Sequence, residues 1–113
     1  MRLAPRKDRN HGEIANFLRA AGWGVFDISA HGKGLGDLLV SRQGFSAIVE
    51  IKDGDKPPSA RKLTPAELKF SRSYLGPYIV ATSLEDAEHQ LRYAYDDAKA
   101  GRGYTVPMNL GKL

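Results

Sequence analysis

The chain has 113 residues, 42% of them hydrophobic and 27% charged, which fits one globular domain and leaves too little apolar surface for a second core. It contains no Cys, which excludes a disulfide framework, a thiolate zinc site, an iron–sulfur cluster and a cysteine nucleophile. Seventeen basic against thirteen acidic side chains give a formal charge of +4, a bias toward polyanionic partners. Met1 to Lys7 lack the apolar centre of a signal peptide, and the longest apolar run, Tyr78–Ala81, is far short of the ~20 residues a membrane helix needs. A soluble, intracellular protein with no membrane partner is expected. Residues 1–113 read as a single domain, with a basic arm at 1–9, a core at 10–100 and a tail at 101–113.

Ile14, Phe17, Leu18 and Ala21 recur at helical spacing behind the capping-type residues Asp8 and Asn10, and Gly22 closes the segment. This predicts a helix from about Asn10 to Ala21. Strand-like runs follow at Trp23–Ser29, Asp37–Ser41 and Ser46–Lys52, the last two joined by Arg42-Gln-Gly-Phe45. Asp53 to Lys62, with Gly54, Pro57, Pro58 and Ser59, reads as an exposed loop.

A helix start is then spelled out by Thr64 as N-cap, Pro65 at the first helical position, Glu67 completing a capping box, and Leu63 and Leu68 spaced as a hydrophobic staple. Gly76-Pro77 ends that helix, Tyr78–Thr82 forms a fourth strand, and Ser83 opens a last helix running to about Ala100 with Ala87, Leu91, Ala94 and Ala98 on its apolar side. The tail alternates Tyr104, Val106, Met108 and Leu110 around Pro107, as an edge strand or an arm on a partner would. The order α-β-β-β-α-β-α makes an α/β fold. A mixed sheet is the middle layer, with the second helix on one face and the first on the other.

The hairpin register brings in chemistry. With Arg42 to Phe45 as the loop, Ser41 faces Ser46, and counting outward sets Asp37 opposite Glu50. Lys52, two residues beyond Glu50, projects from the same face, while Val49 and Ile51 point to the other. Carboxylates opposed across a strand pair repel, so something must compensate. Lys52 supplies one positive charge. A Mg²⁺ ion uses the arrangement more fully, because it takes one or two carboxylates, a carbonyl such as that of Ile51, and several waters. Lys52 would then orient or help deprotonate an attacking water, or stabilise charge on a phosphoryl oxygen. The same residue types at strand ends also form ordinary surface salt bridges. The flexible run His31-Gly-Lys-Gly-Leu-Gly36 before Asp37 lets a bulky anion approach the backbone.

Glu13 on the first helix, Gly34-Leu-Gly-Asp37, Glu50-Ile-Lys52 and the order of elements together resemble the PD-(D/E)xK nuclease superfamily, in particular its VRR-NUC and Holliday-junction-resolvase-like branch, over about residues 10–92. The resemblance implies a restriction-endonuclease-like αβββαβ core with an extra C-terminal helix. It implies Asp37 and Glu50 as Mg²⁺ ligands, with Mn²⁺ as substitute, a catalytic Lys52, and Glu13 completing the metal site. Spacing from Asn10 makes Glu13 equally a capping residue. Two positions depart from the family pattern: Gly36 stands where Pro is common, and Glu67 where Gln is usual. Glu67 is expected to act mainly as a cap. His11 and His31 could serve as general bases or phosphate contacts, but with no second ligand at fixed spacing they are expected to be exposed polar residues, and His89 is expected to face solvent.

In this fold Lys7 and Arg9 of the arm, Lys33 of the glycine loop, and Lys56, Arg61 and Lys62 are the expected nucleic-acid contacts, directed at backbone and shape because no groove-reading motif is present. The expectation is a Mg²⁺-dependent endonuclease acting on branched DNA, as a homodimer joined by the third helix or the tail, in a phage or prophage setting. The alternatives are a non-catalytic nucleic-acid-binding protein with the same fold and an interaction module whose carboxylates are salt-bridged to Lys52.

Overall fold

Residues 10–101 are described by the structure, a computed structural model. They form α1 (His11–Ala20), β1 (Gly24–Asp27), β2 (Leu38–Arg42), β3 (Phe45–Ile51), α2 (Pro65–Ser73), β4 (Tyr78–Ala81) and α3 (Leu84–Lys99), with short 3-10 turns at Ser29–His31 and Pro58–Arg61. The described part is thus α/β, with three α-helices and one four-stranded mixed sheet in the order β1-β2-β3-β4. The first three strands are antiparallel neighbours, and α2 carries the chain across to β4, parallel to β3. Among the described residues no helix is long and apolar enough to cross a membrane.

Strand alternation divides the core. Leu38 and Val40 of β2, and Ala47, Val49 and Ile51 of β3, join Ile14, Ala15 and Leu18 of α1 and Ala87, Leu91 and Ala94 of α3 in one cluster. Ile48 of β3 and Tyr78 of β4 instead pack with Leu63, beside Leu39, Leu68 and Phe70. The sheet therefore has α1 and α3 on one face and α2 on the other. Glu50 and Lys52, in phase with Ile48, belong to the α2 face.

The register agrees with the expected one, since Ser41 pairs with Ser46 and Leu38 with Val49. Two details differ. Arg42 pairs with Phe45, so the turn is only Gln43-Gly44, with positive φ at both (47° and 84°), as in the type I′ form of a two-residue hairpin. At the other end the ladder stops one pair short of Asp37–Glu50. There the Asp37 N–H donates to the Val49 carbonyl at 3.0 Å. Capping follows the sequence at α2, where Thr64 and Glu67 form both bonds of the box, but not at α1. The Asn10 side chain makes no capping bond and donates to the Thr82 carbonyl at 3.0 Å, tying the start of α1 to the end of β4. The segment 53–62 is not wholly an exposed loop, since Asp53 is buried and a 3-10 turn occupies Pro58–Arg61.

Leu91 is fully buried between α3 and the sheet. Leu91→Ala is expected to cost about 2–5 kcal/mol in urea unfolding; a loss under about 1 kcal/mol would contradict the packing of α3 described above.

Candidate functional site

One cavity of about 250 Å³ opens at the end of β3 and is walled by Ser29, Gly32, Gly34 to Asp37, Glu50 to Lys52, and Glu67. Four chain segments meet there: the turn after β1, the glycine loop before β2, the end of β3, and the first turn of α2.

Asp37 is fixed by backbone groups. Its carbonyl accepts the Ile28 N–H at 2.9 Å, and its carboxylate Oδ2 accepts the Ile51 N–H at 2.8 Å. The side chain thus takes the place of the next ladder bond, which is why regular pairing ends at Leu38. The glycine loop reaches α2 because Gly34 has no side chain. With φ +80°, a Cβ there would lie 2.5 Å from the Ala66 backbone. The buried Tyr78 hydroxyl, 3.4 Å from the Gly34 carbonyl, donates to it. Burial and the charges of Glu50, Glu67 and Asp37 push the phenol above its ordinary pKa, so it remains a donor.

Lys52 is the hub of the charges. Its ammonium lies 2.8 Å from Glu67 Oε1 and 3.3 Å from Glu50 Oε2. Glu67 Oε1 also accepts the Thr64 N–H at 2.8 Å, so one oxygen serves the helix cap and the site together. Burial works to lower the Lys52 pKa, but the hydrogen bond to Glu67 and the charges of both carboxyl groups outweigh it and raise it. Lys52 is therefore an ammonium, suited to opposing negative charge rather than to removing a proton from water.

Glu50 is 6% exposed. Burial, then the hydrogen bond with Glu67, then the charges of Asp37 and Glu67 push its carboxyl up to about 9, against the smaller opposing pull of Lys52. Burial tends to raise Glu67 as well, but the hydrogen bonds from Glu50, Lys52 and Thr64 bring it below the ordinary carboxylate value. At neutral pH Glu50 carries the proton and Glu67 the charge. In the cavity wall three carboxyl groups face one ammonium, and the proton on Glu50 relieves that excess.

Asp37, Glu50, Ile51 and Lys52 all line the cavity, as the sequence predicts. Glu13 does not. It is exposed and lines a second cavity with Asn10, Asp53, Asp55, Glu85 and Thr82 to Leu84, and it makes no capping bond. Residues two apart on a helix stand about 200° apart around its axis. Because His11 is turned inward, Glu13 is turned away. His11 in turn is 4% exposed, contrary to the expectation of a surface residue, and lies against Asp27 and Asp37. His31 and His89 are exposed. Glu67 joins the site in addition to capping α2. The Thr64-x-x-Glu67 motif announces the cap, but nothing local in the sequence announces the reach to Lys52. Lys33, Lys56 and Lys62 are exposed and Arg61 is half-buried. Lys33 sits between the lining glycines Gly32 and Gly34. Lys7 and Arg9 lie outside the described residues.

Among the described residues no group of three or more His, Cys, Asp or Glu side chains forms a metal cage. The side-chain donors at the cavity are hard oxygens, the carboxyl groups of Asp37, Glu50 and Glu67, and Ile51 lines it beside them. This set fits Mg²⁺, which keeps several of its waters, better than it fits a metal needing a full protein cage. Comparison with family models, with curated proteins and with solved structures gives no match in any of the three.

Free of cation, Glu50 has a direct signature. Unfolded, it titrates near 4.5; folded, it holds its proton up to about 9. Between those values the folded chain binds more protons than the unfolded one, so the contribution of this group is full below about pH 4.5 and is lost as pH rises toward 9. In EDTA, Glu50→Gln should lose less stability than wild type between about pH 5 and about pH 9 in thermal unfolding. Equal losses would contradict a protonated Glu50.

Proposed function

We propose that this chain is a divalent-cation-dependent endonuclease of the PD-(D/E)xK type that hydrolyses DNA phosphodiester bonds, with branched DNA as its preferred substrate and a restriction-endonuclease-like core. The observation that carries this reading is the meeting of Asp37, Glu50 and Lys52 in one polar cavity bordered by a glycine loop. Asp37, Glu50 and the Ile51 carbonyl would hold Mg²⁺ or Mn²⁺. Bound there, the ion supplies Lewis acidity toward a phosphoryl oxygen and a water of lowered pKa.

The remaining roles fall to the chain. Lys52, kept charged and aimed by Glu67, donates to a non-bridging phosphoryl oxygen and opposes the charge that builds on it. The glycine loop lets the phosphate approach the backbone. Lys33, Lys56, Arg61 and Lys62, with Lys7 and Arg9 of the arm, contact neighbouring phosphates without reading sequence. A two-fold dimer joined through α3 would present two such sites to a branched substrate.

A second reading, a non-catalytic nucleic-acid-binding protein, is favoured by one feature: Glu50, Glu67 and Lys52 satisfy one another by hydrogen bonds and charge pairing. The carboxylate of Glu67 also repels phosphate unless Lys52 neutralises it.

One assay tests both. Four-way junction, flap, nicked and linear DNA are incubated with the protein in Mg²⁺, Mn²⁺ or EDTA. Cleavage should require the cation and fall at least about 10²-fold in Asp37→Asn and in Lys52→Ala. Cleavage in EDTA, or by Asp37→Asn at the wild-type rate, would overturn the nuclease reading; salt-sensitive binding without cleavage would establish the second.

A further inference from the structure

His11 is buried at the start of α1, yet neither ring nitrogen makes a hydrogen bond. Buried polar atoms are rarely left so in native proteins, and each such case calls for an explanation. An apolar side chain of similar size would fill the same space at lower cost, so packing alone does not account for an imidazole here.

The surroundings supply a reason. Each nitrogen faces a carboxylate: Nε2 lies 3.3 Å from Asp27 Oδ2, and Nδ1 lies 3.9 Å from Asp37 Oδ1. Asp27 is itself held, its Oδ1 accepting the Ser29 N–H at 2.9 Å and the Ser29 hydroxyl at 2.6 Å. Asp37 is held on its far oxygen by Ile51. The imidazole thus bridges a carboxylate at the end of β1 and the carboxylate at the start of β2. His11 is not part of the cavity wall, so it stands behind Asp37 and does not meet what enters the cavity.

We propose that His11 is a positioning residue for Asp37: braced at Nε2 by Asp27, it sets through Nδ1 the orientation in which the Asp37 carboxylate receives a divalent cation. This rests on the cation-site reading above. Side chains that orient a metal-binding carboxylate from behind typically change cation affinity 10–100-fold when replaced. An imidazole with both nitrogens protonated has a donor at each end and so can face two carboxylates at once.

The test uses the full chain and Mn²⁺ as probe, with affinity measured by calorimetry and Tm measured without cation. His11→Leu, measured where it is folded, should bind Mn²⁺ about 10–100-fold more weakly than wild type. A residue that only supported the fold would lower Tm and leave the affinity of the folded protein unchanged. His11→Asn, whose amide sits near the Nδ1 position, should bind more tightly than His11→Gln, whose amide reaches the Nε2 position, and this comparison decides the matter if the Leu variant does not fold.

Wild-type affinity in His11→Leu, or Gln binding as well as or better than Asn, overturns the role of His11. If Asp37→Asn meanwhile abolishes binding, the cation site stands and only this proposal falls. If the wild-type chain binds no Mn²⁺, both fall.

Discussion

A carboxyl group buried next to two others is costly to ionise, and the end of β3 holds such a group in Glu50, with Asp37 and Glu67 beside it and Lys52 as the ammonium in the wall. The chain meets this constraint by keeping a proton on Glu50 and by pairing Lys52 with Glu67. The rest of the site follows from that choice. Lys52 stays charged because two carboxyl groups surround it, and Glu67 stays ionised because it receives hydrogen bonds from three directions. Such a cluster is closed by its own hydrogen bonds, and under the proposed reading a divalent cation would do for the carboxylates what the proton on Glu50 does.

The fold makes this arrangement rigid. Asp37 has its N–H, its carbonyl and its carboxylate all engaged by backbone groups of Val49, Ile28 and Ile51. Glu67 sits in a capping box, and Tyr78 ties the glycine loop to β4. Side chains carried on helices and strands are positioned more sharply than side chains on open loops. The glycine run, where small residues expose backbone, borders the cavity.

Much of this was legible in the chain. The hairpin register follows from Ser41 and Ser46 flanking a short turn, and it brings Asp37, Glu50 and Lys52 to one strand end even though the turn is two residues and not four. The cap at Thr64 is equally plain, because all its parts are local. What was hidden depends on contacts distant in sequence. The second role of Glu67 requires knowing that α2 crosses over the face bearing Lys52. The burial of His11 depends on which side α1 turns to the sheet, and Asn10 bonds Thr82 there instead of capping. The same rotation turns Glu13 outward, so the acid that the resemblance suggested and the residue that reaches Asp37 differ by two positions on one helix.

The most direct test of the cation site is anomalous scattering at the manganese edge from crystals grown with Mn²⁺ near neutral pH. The expected result is a peak bonded to the carboxylates of Asp37 and Glu50, with the Glu50–Glu67 hydrogen bond broken. A peak among Glu13, Asp53 and Glu85 instead, or none while Glu50 still donates to Glu67, would contradict it.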